Sequence, residues 1–153
     1  MKKLKWWFLI LGMWYLLLSL MNLYMMFLGG EQGQKLLIDS IPFPANEWVV
    51  RAFVDGWSPF LFDMIGIATF CLWASRSPRK YLGAVWLIVW LELLHGILDD
   101  MFLIARGYDA ASYIGFSFIH LLIIVSGVLV ARQAQAETTS TEPKMTTQPS
   151  LTD

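Results

Sequence analysis

Charge is scarce in this chain. Asp, Glu, Lys and Arg make up 15% of its 153 residues, against about 25% in ordinary water-soluble domains. That shortage argues against an aqueous fold. Cysteine is nearly absent too: Cys71 stands alone in an apolar run, has no partner for an intrachain disulfide, and reads as a small core residue. There is no zinc-type cysteine spacing, haem-attachment motif, phosphate-cradling glycine loop, nucleophile elbow or zincin motif. Each of those chemistries therefore lacks an anchor. The net charge of -1 leaves no basic footprint for nucleic acid.

What remains is apolar. Hydrophobic residues account for 57%, with eight Trp, ten Phe and eight Met, and they collect in four long runs. At about 1.5 Å per residue, a helix of ~20 such residues crosses a hydrocarbon core of ~30 Å. The runs predict helices over 6–28, 48–74, 81–105 and 112–131, forming a transmembrane domain over 1–132. The first run follows Lys2, Lys3 and Lys5, as a signal peptide would, but it is longer than a signal core and Gly29-Gly30-Glu31 is a poor cleavage site. It reads as a retained helix. Residues 29–46 read as a polar connection with Pro42 and Pro44, and Gly29-Gly30 as a helix stop. Ser58-Pro59 predicts a helix start or kink inside the second run. From 133 to 153 the composition turns to Gln, Thr, Ser, Glu and Pro, too polar to bury anything, and predicts a disordered tail.

Orientation follows from the basic residues. Lys2, Lys3 and Lys5 precede the first helix, and Arg76, Arg79 and Lys80 lie between the second and third. In a four-crossing chain these segments share a side. The fold class expected is thus an all-α membrane protein, a four-transmembrane-helix bundle with both termini cytoplasmic. The basic turn could also meet anionic lipid, although its topogenic role explains it fully.

The ionisable residues inside the runs are costly there, at least about 2.5–3.5 kcal/mol each on insertion scales, so they should face the protein interior. Glu92, His95, Asp99 and Arg106 fall on one stripe of the third helix at 100° per residue. Asp100 falls to the side, towards the interface, where hydration would suffice. The first helix offers Tyr15, Ser19 and Asn22, the second Asp63, the fourth His120. Counting depth from the topology puts all of them in the outer half, over an apolar inner half. The candidate pocket is therefore Glu92, His95, Asp99, Asp63, His120 and Asn22, opening outward or sideways.

Such a pocket suits a small lipophilic ligand with one polar end, and a carboxyl beside an imidazole is a plausible acid/base couple. A membrane enzyme of isomerase or reductase type is the alternative. A second alternative is structural: buried acids and histidines that only fix helix packing. Proton or ion movement is disfavoured by the apolar inner half. Glu92-x-x-His95 has the spacing used by di-metal bundles, but these need two such motifs, so neither metal nor cofactor is expected. The expected partners are the lipid bilayer and the ligand, with a second copy of the chain left open.

Three segments carry a likeness. Lys2-Lys-Leu-Lys-Trp-Trp7, Arg51-Ala-Phe-Val-Asp55, and Trp90-Leu-Glu-Leu-Leu-His-Gly-Ile-Leu-Asp-Asp100 through Ala105-Arg-Gly-Tyr108 resemble the BphX-like family of small bacterial membrane proteins, up to about Gln133. The resemblance implies a bacterial inner membrane, and for some members a genetic setting of aromatic-compound breakdown. It supplies no activity and no catalytic residues.

Overall fold

The computed structural model describes residues 2–139, and every element within them is helical. Helix α1 spans Lys2–Leu28, α3 Glu47–Ala74 and α4 Pro78–Ala105; α5 starts at Ala110. All four are long and apolar enough to cross a membrane. A fifth helix, α2, Gly30–Ser40, occupies what reads in the sequence as a plain polar connection. It forms because the chain turns at once after α1: Gly30 adopts φ +52, a conformation that favours glycine. Leu37 and Ile41, 2% and 7% exposed, then tuck back against the bundle.

Helix starts follow local chemistry. The Asn46 side chain accepts the Val49 N–H at 3.0 Å and opens α3, as a capping asparagine does. Asp109 opens α5 in the same way, accepting the Ser112 N–H at 3.0 Å and the Ser112 hydroxyl. These bonds hold the exposed Asp109 carboxyl below its ordinary value. Two boundaries differ from expectation. Pro59 lies inside an unbroken α3, neither starting it nor splitting it; the hydroxyl of Ser58 bonds back to the Val54 carbonyl at 2.7 Å. Proline is tolerated within apolar helices when neighbours satisfy the freed backbone. Helix α5 runs on to Thr139, because the stretch from Arg132 holds Ala, Gln and Glu, all good helix formers. The remainder of the expected tail, 140–153, lies outside the described residues.

In lipid, apolar surface gains little by leaving its solvent, so close packing of small residues holds helices together. Helix α3 presents Ala68, Cys71 and Ala74, all fully buried, and α1 packs along it with Leu4, Phe8 and Leu11. Gly12 sits directly on Ala68 and Leu72. On the other side α5 pairs with α4 and touches α1, where the Trp7 indole donates to Ser126 at 3.0 Å. Helices α3 and α4, consecutive in the chain, meet chiefly beside the Ser75–Ser77 turn, where Phe70 and Trp73 pack on Tyr81. Beyond that turn they part, and a cleft opens between them.

Candidate functional site

The cleft has a volume of about 1210 Å³. Helix α3 forms one wall and α4 the other; α1 and α5 form its back, and α2 with Tyr108 closes the end away from the basic turn. Asn22, Asp63, His95, Asp99, Asp100 and His120 all line it. Glu92 does not, because it lies behind them, 1% exposed.

Glu92 is the centre of the arrangement. The Tyr15 hydroxyl donates to its Oε1 at 2.7 Å, and His120 Nδ1 lies 2.6 Å from its Oε2. When Glu92 accepts both bonds, the ring proton of His120 is on Nδ1 and Nε2 turns outward. His120 Nε2 then stands 3.9 Å from Asp100 Oδ2, itself fixed by the Ser117 hydroxyl at 2.8 Å. Tyr15, Glu92, His120, Asp100 and Ser117 thus form one chain of polar contacts across α1, α4 and α5. No buried side-chain nitrogen or oxygen among the described residues lacks a partner, as expected where an unmet polar group costs several kcal/mol.

The local backbone of α4 explains why these residues converge. Between Glu92 and Leu98 the helix widens into a π-turn, which admits one extra residue and is frequent at functional sites. The insertion advances the helix face by one position. Asp100 takes the inward place that regular α geometry assigns to Asp99. Asp100 is accordingly 5% exposed, which corrects the expectation that it lies aside and hydrated. Asp99 is half-buried at the cleft wall.

Gly96, within the same turn, is what lets His120 in. A Cβ placed there would lie 2.5 Å from both Cγ and Nδ1 of the imidazole. The ring therefore rests directly on the α4 backbone, one helical turn beyond Glu92. Nothing in the sequence marks Gly96 for this role, since the contact comes from a helix twenty-four residues on.

The other candidates stand apart from Glu92. His95 is exposed and stacks on Phe60 with ring centroids 6.2 Å apart, so Glu92-x-x-His95 does not converge. Asp63 is exposed on the opposite wall. Asn22 is committed to structure: its Oδ1 accepts the Trp57 indole N–H at 3.0 Å, and its amide donates to the Leu18 carbonyl at 2.9 Å. Among the described residues no group of three or more His, Cys, Asp and Glu side chains is placed to hold a metal ion.

The network can do two things chemically. It can hold one imidazole face rigidly towards the cleft, and it can stabilise the imidazolium formed when Nε2 takes up a proton, the orienting logic seen wherever a buried acid backs a histidine.

In comparisons with known proteins, a family model described as BphX-like matches residues 1–136. No curated protein and no solved structure matches the chain.

Proposed function

The chain belongs to the BphX-like family, and from that premise we propose that it is a four-crossing inner-membrane protein that binds a small lipophilic molecule in the cleft between α3 and α4. The observation that carries this reading is the backing of His120. An imidazole on the cleft wall is locked from behind by a carboxylate that is itself fully buried and tied to Tyr15. Helix register needs no such cleft beside the network. Aromatic and apolar side chains such as Trp57, Phe60 and Phe116 line the space around it, and a mostly apolar pocket with a few converging polar groups is the usual form of a ligand site. The association of some family members with aromatic-compound breakdown accords with a ligand of this kind. The basic residues opening α1 and α4 support both termini being cytoplasmic, and with that orientation the network would lie in the outer half.

Native mass spectrometry of the protein in mild detergent tests the reading. A small molecule should travel with the wild-type chain. Gly66→Trp, which fills open space on the cleft wall, should lose it while the bundle stays folded. If repeated preparations carry nothing and no lipophilic compound raises the melting temperature, the reading fails.

The His120–Glu92 pair specifically favours a second reading, an isomerase-type step. Nε2 would remove one proton from a ligand carbon and return it at another, with Glu92 stabilising the imidazolium between. No further reagent is consumed. Deuterium incorporation into the bound molecule in D2O, lost in Glu92→Gln, would establish it; ligand recovered unlabelled would leave binding alone.

A further inference from the structure

The cleft is longer than a compact ligand needs, and its charges have one sign. Its lining on α4 runs from Ala84 to Leu103 and on α3 from Phe53 to Phe70. At about 1.5 Å per residue these are ~28 Å and ~26 Å of wall, close to the ~30 Å thickness of a bilayer core. Its 1210 Å³ exceeds the roughly 300–1,000 Å³ of ordinary small-molecule pockets. The end towards the basic turn is apolar, bounded by Phe70, Ala84, Leu87 and Ile88. The gap lies between two adjacent helices, so it faces the surrounding lipid directly.

The other end is acidic. Asp39, Asp63, Asp99, Asp100 and Asp109 line the cleft, and among the described residues no Lys or Arg does. The Arg106 guanidinium lies over the Phe102 ring and Arg51 stands beside Asp55. Aromatic rings crowd the same end. Trp57 stacks on Phe53 and meets Phe60 edge-on, and Tyr108 meets Tyr113. Carboxylates and ring faces together are the surroundings that recognise an ammonium group.

Building on the proposed ligand site, we infer that its occupant is a bilayer-dissolved amphiphile with one long chain and a positively charged amine or quaternary ammonium head. It enters sideways between α3 and α4. The chain lies along the apolar end, against Ala84 and Leu87. The head rests among the aspartates and rings, within reach of His120. An anionic head is repelled by the same groups.

Four probes added to the protein in dodecyl maltoside separate the components of this inference: hexadecyltrimethylammonium, hexadecanol, hexadecyl phosphate and butyltrimethylammonium. Affinity is read by thermal shift and by quenching of tryptophan fluorescence. The long-chain cation should bind about ten-fold or more tighter than the alcohol, the phosphate weakest, and the butyl cation at least about a hundred-fold weaker than its long-chain counterpart. Asp63→Asn with Asp99→Asn, both partly exposed and thus tolerable to the fold, should reduce cation binding alone. Equal affinity for all three long-chain heads overturns the charge assignment, and equal affinity for long and short cations overturns the chain assignment. If none of the four binds while native mass spectrometry still finds a compact ligand, this inference is wrong and the proposed function stands. If neither experiment finds a ligand, both fall.

Discussion

Gly96→Ala isolates the contact on which the polar network depends. The added methyl would lie 2.5 Å from two imidazole atoms, where ordinary contact begins at 3.4 Å. The ring must therefore withdraw by ~0.9 Å, the difference between those two distances. Glu92 lies on the same helix as Gly96, so withdrawal from that helix lengthens the bond of 2.6 Å to Glu92 to the limit of hydrogen bonding. Losing a bond to a charged group costs about 1.5–3 kcal/mol, and overpacking adds roughly 1–3 kcal/mol. Alanine returns up to about 1 kcal/mol through helix propensity. The balance is a loss of about 1.5–6 kcal/mol, read as unfolding free energy in mixed micelles. Gly66→Ala is the matched control: nothing stands within 4 Å of its new methyl, so it should be neutral or slightly stabilising. Nitrogen-15 spectra of His120 give the second readout, since the Nδ1 signal should shift in Gly96→Ala and stay in Gly66→Ala. If both variants are equally stable with unchanged His120 signals, the ring does not rest on Gly96 and the reasoning is refuted.

Other perturbations have equally definite outcomes. Tyr15→Phe removes the donor to Oε1 of buried Glu92 and should cost about 1–3 kcal/mol; an unchanged melting temperature would count against that bond. Glu92→Gln should move the ring proton of His120 to Nε2, because the new amide donates to Nδ1 where the carboxylate accepted; the tautomer is read from the same nitrogen spectra, and an unaltered tautomer counts against the pairing. Asp109 has its pKa lowered on folding by the Ser112 bonds, so its stabilisation of α5 is present above the unfolded value of about 3.9 and is lost as pH falls through the folded one. Hydrogen exchange in the first turn of α5 should therefore accelerate at low pH in the wild type and much less so in Asp109→Asn, which keeps an uncharged cap. A reporter fused after Gln133 should read as cytoplasmic and one inserted near Gln34 as external, while the opposite pattern would invert the site.

The four long helices were legible because apolar length is a one-dimensional property: counting residues between charges suffices. Glu92 and His120 were legible for the same reason, since an ionisable group in such a run has few places to go. The π-turn was not. It leaves no mark in composition, and it converts a stripe through Asp99 into a face that holds Asp100. Helix α2 is amphipathic but was hidden by its glycines and its largely polar composition, and forms through the docking of Leu37. His95 and Asp63 carry the right chemistry at the right depth, yet hydropathy cannot say that one would stack on Phe60 and the other would face it from the opposite wall. Asn22 was recognised as inward-facing, but its service to the Trp57 indole depends on a partner thirty-five residues away.

The wide turn of α4 also has a genetic reading. One additional codon between Leu93 and Leu98 is all that distinguishes it from a regular α-helix. Excising one of those codons would let the turn close, and because the turn had absorbed the extra residue, everything after it would keep its facing. Asp100 would still reach inward, the helix would still span the same thickness of membrane, and only the seat of the His120 ring on the widened turn would change. A length change that small would preserve hydropathy, topology and the inward acid, and disturb the polar network only where the imidazole rests. The width of the turn thus lets α4 carry one residue more without turning its far half.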